Sequence, residues 1–231
     1  MGIGLLMTKK RKTERSREND GLFNKARGLF LWALLGAVPL IFLMGEVGGA
    51  MPQGSPTDAM KQTINGVLAI LGDQELKKPE RYSERLTKLE EVLEKRFDYE
   101  EMAKRTLTRH WRKLDQAQKD EFVSLFHDFL SNSYAGNVDG YSGEQVEYLK
   151  ERLKGNFAEV QTKAVSPKME VPIYYRLLKK KNNWWVYDVV IDGVSLMKNY
   201  RGQFSRIIKS SSYEGLLKKL RSKVEKKASS S

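Results

Sequence analysis

Asp188 interrupts the apolar run Trp184-Trp185-Val186-Tyr187-Asp188-Val189-Val190-Ile191, which an Asp192-Gly193 turn closes. Burying an unpaired carboxylate is costly, so such a residue either pairs with a cation or faces a ligand. Arg176 and Arg201 are the cations on offer, and pairing with a basic side chain of this kind is the expected role; contact with a ligand is the alternative. Little else in the chain can do chemistry. His110 and His127 lie 17 positions apart, not at the i, i+4 spacing that sets two ligands on one helix face, so no metal site is expected. Without cysteine there is no thiolate ligand, disulfide or thiol nucleophile. Asp98, Glu100 and Glu101 cluster, but acidic residues at a helix start are explained by the macrodipole. Gly140-Tyr141-Ser142-Gly143 and Gly193-Val194-Ser195 lack the spacing of a nucleophile elbow, and neither a Walker A loop nor a dinucleotide fingerprint occurs. No catalytic residue can be named, and the chain is read as a non-enzyme that needs no cofactor.

The elements that must position these residues fall into two halves. Ser55-Pro56-Thr57-Asp58 starts a helix, with Ser55 as N-cap and Pro56 at the first position; Met60, Ile64, Val67, Leu68 and Leu71 give its apolar stripe and Gly72 closes it. A second helix begins near Pro79 and buries Tyr82, Leu86, Leu89, Val92, Leu93 and Phe97, with an ordinary charged outer face. A short third spans Tyr99 to Leu107 and leads to Trp111. A fourth, capped by Asp115 with Gln118, buries Phe122, Leu125, Phe126, Phe129, Leu130 and Tyr134. Beyond Gly136-Asn137 the period changes to two. Strands are expected at Val146 and Tyr148, at Val160 to Ala164, at Val171 to Leu177 and at 184 to 191, the last two joined by a hairpin turn at Lys179 to Asn183. Pro172 implies that its strand is an edge or is bulged there. In the last strand, strict alternation puts Trp185, Tyr187, Val189 and Ile191 on one face, with Trp184, Val186, Asp188 and Val190 on the other. A helix carrying Leu196, Tyr200, Phe204, Ile207 and Ile208 then passes a serine-rich break into a final amphipathic helix of Leu216, Leu217, Leu220 and Val224. Helices first and meander strands later predict an α+β domain, with helices on one face of an antiparallel sheet.

Residues 28 to 45 carry no charge, follow Lys25 and Arg27, and precede the small residues Gly48, Gly49 and Ala50. This is the pattern of an export signal, so residues 1–50 are read as a signal peptide and 51–231 as one domain. An uncleaved anchor is the competing reading, since about 18 apolar residues reach the lower limit for spanning a bilayer. The formal charge of +12 is unevenly spread. Residues 51–231 hold 33 basic and 25 acidic residues, a net +8, of which 9 basic and 2 acidic residues at 201–231 supply +7. With an export signal in front, nucleic acid is not an expected partner of that basic tail; it can serve anionic headgroups or an acidic protein, or be a solvated helix face with no specific partner, a reading of at least equal weight.

The order Val186-Tyr187-Asp188-Val189-Val190-Ile191-Asp192-Gly193-Val194-Ser195-Leu196, followed by Asn199-Tyr200-Arg201 and Gln203-Phe204, resembles the signature of the MlaC, or toluene-tolerance, family of periplasmic phospholipid-binding proteins. Phe97-Asp98-Tyr99, Met102-Ala103, His110-Trp111-Arg112 and Tyr141-Ser142-Gly143-Glu144 extend the likeness over roughly residues 55 to 222. Three departures stand out: Gly136-Asn137-Val138-Asp139-Gly140 is glycine-rich for the family's loop before the sheet, and two single positions differ. The family pattern leads one to expect arginine where Lys104 stands and glycine where Thr108 stands.

The resemblance implies an α+β, nuclear-transport-factor-2-like fold and a carrier that moves phospholipid across the periplasm, between an outer-membrane lipoprotein complex and an inner-membrane ABC transporter with an MCE-domain subunit. It also implies that acyl tails enter the interior and the headgroup stays exposed. About 30 methylenes at ~0.8 kcal/mol each would otherwise expose roughly 25 kcal/mol of apolar surface to water. The implied lining is Phe122, Phe126 and Leu130 from the fourth helix; Val146, Tyr148, Val171, Ile173, Tyr175, Trp185, Tyr187, Val189 and Ile191 from the strands; and Leu196, Tyr200 and Phe204 after them. Periodicity alone reads the same residues as a filled core, and a periplasmic interaction module that docks an acidic partner through its basic C-terminal helix is the alternative function.

Overall fold

A computed structural model describes residues 54–135, 138–141, 143–166 and 169–228. The signal-like residues 1–50 lie outside the described residues. Among the described residues no helix is long and apolar enough to cross a membrane.

Helix α1 (Pro56–Gly72) starts as its sequence requires: Asp58 N–H donates to Ser55 Oγ at 3.0 Å and Ser55 N–H to Asp58 Oδ2 at 3.2 Å, a reciprocal capping box with proline behind it. A one-turn 3₁₀ segment (Pro79–Arg81) leads into α2 (Tyr82–Glu94). Helix α3 (Tyr99–Leu107) is capped by Asp98, and α4 (Gln116–Ala135) by a second reciprocal pair, Asp115 with Gln118. The meander follows as β1 (Gln145–Lys154), β2 (Phe157–Ser166), β3 (Met169–Lys180), β4 (Asn183–Ile191) and the two-residue β5 (Val194–Ser195), antiparallel throughout and ordered as in the chain. Lys181 and Asn182, both at positive φ, make the two-residue turn between β3 and β4; Asp192 and Gly193 do the same between β4 and β5. Helix α5 (Leu196–Ala228) is interrupted at Ser212, at φ 70°, inside the serine-rich break.

Burial alternates along the sheet, so one face packs on helices. Ala158, Val160, Thr162 and Ala164 of β2 face inward beside Val171, Ile173, Tyr175 and Leu177 of β3. Helix α1 approaches β1 and β2, α3 and α5 approach β4, and α4 packs behind on α3 and α5. Half of β4 is covered on its second edge by the 96–98 segment: Asp98 N–H donates to the Val186 carbonyl at 2.9 Å and Val186 N–H to the Arg96 carbonyl at 2.8 Å.

Two local expectations are corrected. Strand β3 lies between β2 and β4, so Pro172 is not on an edge, and the β2–β3 register runs through it without a shift. Its carbonyl accepts from Asp192 N–H at 2.9 Å, which places its missing N–H beyond the last β3–β4 pair, Ile173 with Ile191, where no ladder bond is lost. The alternation in β4 also breaks. Arg176 pairs with Asp188 but Leu177 pairs with Val186, leaving Tyr187 as an extra residue. A bulge shifts every side chain beyond it by one, so Trp184 and Val186 share the buried face with Val189 and Ile191. Trp185 and Tyr187 point the other way and are half-buried.

Candidate functional site

The interior is one contiguous apolar cluster. It brings together Phe122, Phe126 and Leu130 of α4, Val171, Ile173 and Tyr175 of β3, Val189 and Ile191 of β4, and Leu196, Tyr200 and Phe204 of α5. Val146 and Tyr148 of β1 are half-buried against it. The aromatic part is a helix-to-helix contact: Phe126 meets Phe204 edge to face at 5.9 Å and Tyr200 at 6.0 Å, and Phe122 meets Phe204 at 6.1 Å. The aliphatic part lies on the sheet. Trp185 and Tyr187 belong to neither. Trp185 lines a small separate pocket of about 380 Å³ with Phe97, Tyr99 and Lys180, where Lys180 pairs with Asp98.

Polar groups inside the cluster are few. Thr162, fully buried, donates to the Ile173 carbonyl at 2.7 Å. The Tyr148 hydroxyl is buried with no hydrogen-bond partner among the described residues, and burial pushes its pKa up to about 12. Desolvation also raises the Tyr175 phenol, with the neighbouring Tyr148 adding to it. Both stay neutral in the physiological range, so the sheet side of the cluster carries no charge of its own.

Asp188 is ion-paired, as its place in the sequence suggested, and the partner is Arg176. Arg176 Nη1 donates to Asp188 Oδ2 at 3.2 Å, and its Nε donates to Glu159 Oε2 at 3.2 Å. Ser195 Oγ donates to Asp188 Oδ2 at 2.7 Å and Met197 N–H to Oδ1 at 3.0 Å, while Ser195 Oγ accepts from Lys198 N–H at 3.0 Å. The carboxylate therefore ties β3, β4 and the first turn of α5 together, and both its oxygens are used.

Beside this knot, at the β4 bulge, opens a pocket of about 670 Å³. Lys104, Arg105 and Arg109 come from α3 and the turn after it, Arg112 from the 3₁₀ segment (Trp111–Lys113), Arg176 from β3, and Lys198 and Arg201 from α5. Against these seven cations stand two carboxylates, Glu101 and Asp188, a balance of +5. Its floor includes Trp111 and Met197, which are members of the apolar cluster. Arg105 lies 3.8 Å from the Tyr187 ring centre and pairs with Glu101 at 2.8 Å. His110 nearby is held below its usual pKa by burial and then by the charges of Arg109 and Lys113. At the rim, Leu107 to His110 form a turn in which His110 N–H donates to the Leu107 carbonyl at 3.1 Å; Thr108 takes φ 51°, ψ −115° there. That is the first central position of a type II′ turn, which suits glycine, the residue the sequence pattern called for.

Sequence reasoning missed this cationic pocket. Lys198 and Arg201 sit one helical turn apart on α5, but Lys104, Arg105 and Arg109 lie some 90 positions earlier in α3 and the turn after it, and only folding sets the two groups face to face.

An antiparallel five-stranded sheet with helices packed over a shared apolar interior defines the class, an α+β protein. The structure superposes on that of a phospholipid-binding protein from Ralstonia solanacearum in complex with a phospholipid, with a TM-score of 0.67, 24% identity, and coverage of 76% of this chain and 99% of that one. A family model described as MlaC protein matches residues 61–222, and the chain belongs to that family. Among characterised relatives it is similar to the intermembrane phospholipid transport system binding protein MlaC of Haemophilus influenzae, 25% identical over 122 residues, or 50% of this chain. That alignment spans 57% of the relative's length.

Proposed function

We propose that this protein is a phospholipid carrier of the periplasm. It takes acyl tails between the inner face of the sheet and the helices, and shuttles lipid between an outer-membrane lipoprotein complex and an inner-membrane MCE-domain ABC transporter complex, maintaining outer-membrane lipid asymmetry. The observation that carries the reading is the interior itself: a neutral, contiguous apolar cluster shared by α4, α5 and the sheet, in a chain of the MlaC family. The Ralstonia protein of the same fold is described with a phospholipid bound, and the Haemophilus relative is named as a phospholipid transport binding protein.

Tails worth roughly 25 kcal/mol in water must be covered during transit, and they leave only when a docked partner offers another apolar surface. Direction is then a property of the partners, because the binding step is reversible. The lining is the set of inward residues above, with Trp184 and Val186 replacing Trp185 and Tyr187 on β4.

The experiment is a cavity-filling pair. Ile173→Trp and Val189→Trp, which enlarge an inward side chain without adding charge, are expected to lower bound phospholipid per protein severalfold in chains shown by circular dichroism to be folded. Leu178→Arg, on the opposite face of β3, is expected to keep it. Equal lipid content in all three variants would refute the interior as the binding site and favour an interaction module with a filled core, whose partner binding would instead fall on Lys218→Glu and Lys219→Glu in the exposed part of α5.

A further inference from the structure

The cationic pocket at the β4 bulge is too asymmetric to be an ordinary solvated surface. Both of its carboxylates are already engaged, Glu101 with Lys104 and Arg105, and Asp188 with Arg176, Ser195 Oγ and Met197 N–H. Four cations that line it, Arg109, Arg112, Lys198 and Arg201, have no carboxylate partner among the described residues and are exposed. They converge on one concave space from three separate elements, so their mutual repulsion is maintained by the fold and would be relieved by an anion. The volume of about 670 Å³ falls in the range of small-molecule sites. The floor decides which anion. Trp111 and Met197 are buried members of the interior cluster, so the pocket grades from an apolar base that joins the candidate tail chamber to a cationic rim.

We propose that this pocket binds the phosphate ester of the cargo lipid, with Arg109, Arg112, Lys198 and Arg201 as the binding groups. The inference rests on the carrier reading above and deepens it: the headgroup is not merely left in solvent but is held through its phosphate. Guanidinium forks match phosphate oxygens in pairs, which a neutral glyceride cannot exploit. The site therefore selects phosphodiester lipids over neutral lipids with the same tails.

The test uses the full chain and vesicles of phosphatidylglycerol mixed with diacylglycerol of identical acyl chains. Protein is re-isolated and its bound lipid is quantified by mass spectrometry. Wild type is expected to take up phosphatidylglycerol over diacylglycerol by about tenfold or more, the worth of one charge-assisted hydrogen bond. The preference should shrink as ionic strength rises, a readout on the wild type that does not depend on any variant folding. Arg109→Gln, Arg112→Gln and Arg201→Gln combined should lose the preference while diacylglycerol uptake stays unchanged. Equal uptake of both lipids by wild type and variant overturns the proposal and leaves the carrier reading standing. Uptake of neither lipid overturns the carrier reading and the proposal with it. A parallel titration with inorganic phosphate separates the two sources of the anion: binding of phosphate without any headgroup preference assigns the pocket to a free anion and overturns the lipid assignment.

Discussion

Removing the Asp188 carboxylate tests whether it is a structural knot or a ligand contact. Asp188→Ala deletes the ion pair with Arg176 and the bonds from Ser195 Oγ and Met197 N–H, at a site only 4% exposed. Breaking a fully buried pair costs about 3–5 kcal/mol. Arg176 keeps Glu159 as a partner and is itself partly exposed, so little of that cost comes from a stranded cation. The Met197 N–H at the first turn of α5 loses a charge-assisted bond worth about 1.5–3 kcal/mol, and the Ser195 hydroxyl a further share. The expected loss is about 3 kcal/mol, a fall in Tm of roughly 6–12 °C for a domain of this size. Asp188→Asn keeps the acceptor oxygen and should lose about half as much. Thermal unfolding followed by circular dichroism reads both. A Tm for Asp188→Ala within about 2 °C of wild type would refute the structural role. Loss of bound lipid from folded Asp188→Asn at unchanged Tm would turn Asp188 into a ligand contact.

Thr108→Gly should raise stability by about 1 kcal/mol, measured by urea unfolding, because it relieves φ 51° at a turn position that suits glycine. Gly215→Ala should lower it by about 1–3 kcal/mol, since a new Cβ would lie 2.8 Å from the Ser211 side chain across the break in α5. Tyr148 has a folded pKa raised above the ordinary value of 10, so its contribution is complete below pH 10 and is lost as pH rises towards about 12. By linkage that contribution is up to about 3 kcal/mol, and Tyr148→Phe should flatten the fall of Tm over this alkaline range.

Much of the fold was legible because its signals are local. The Ser55–Asp58 and Asp115–Gln118 caps, the helix from Tyr99 to Leu107, the hairpin at Lys181-Asn182 and the serine break each announce themselves within a few residues. The β4 bulge was not legible, because aromatic and aliphatic residues occupy both parities of 184–191 and no alternation in the sequence reports an extra residue. Arg85 was likewise hidden on the charged side of α2; it is buried, with Nη2 donating to the Leu71 carbonyl at 3.1 Å and to the Val138 carbonyl at 3.2 Å. Those acceptors come from α1 and from the segment after α4, contacts that only the assembled helices create. The inward residues of the candidate chamber could be named, but periodicity does not separate a packed core from a lipid-lined one. The cationic pocket escaped for the reason its members are scattered: its charges come from α3, the 3₁₀ segment, β3 and α5.

Native mass spectrometry of the protein purified from cells tests the central claim most directly. The account predicts a folded chain carrying co-purified phospholipid, released as an intact lipid on activation. A folded chain that is consistently free of lipid would contradict it.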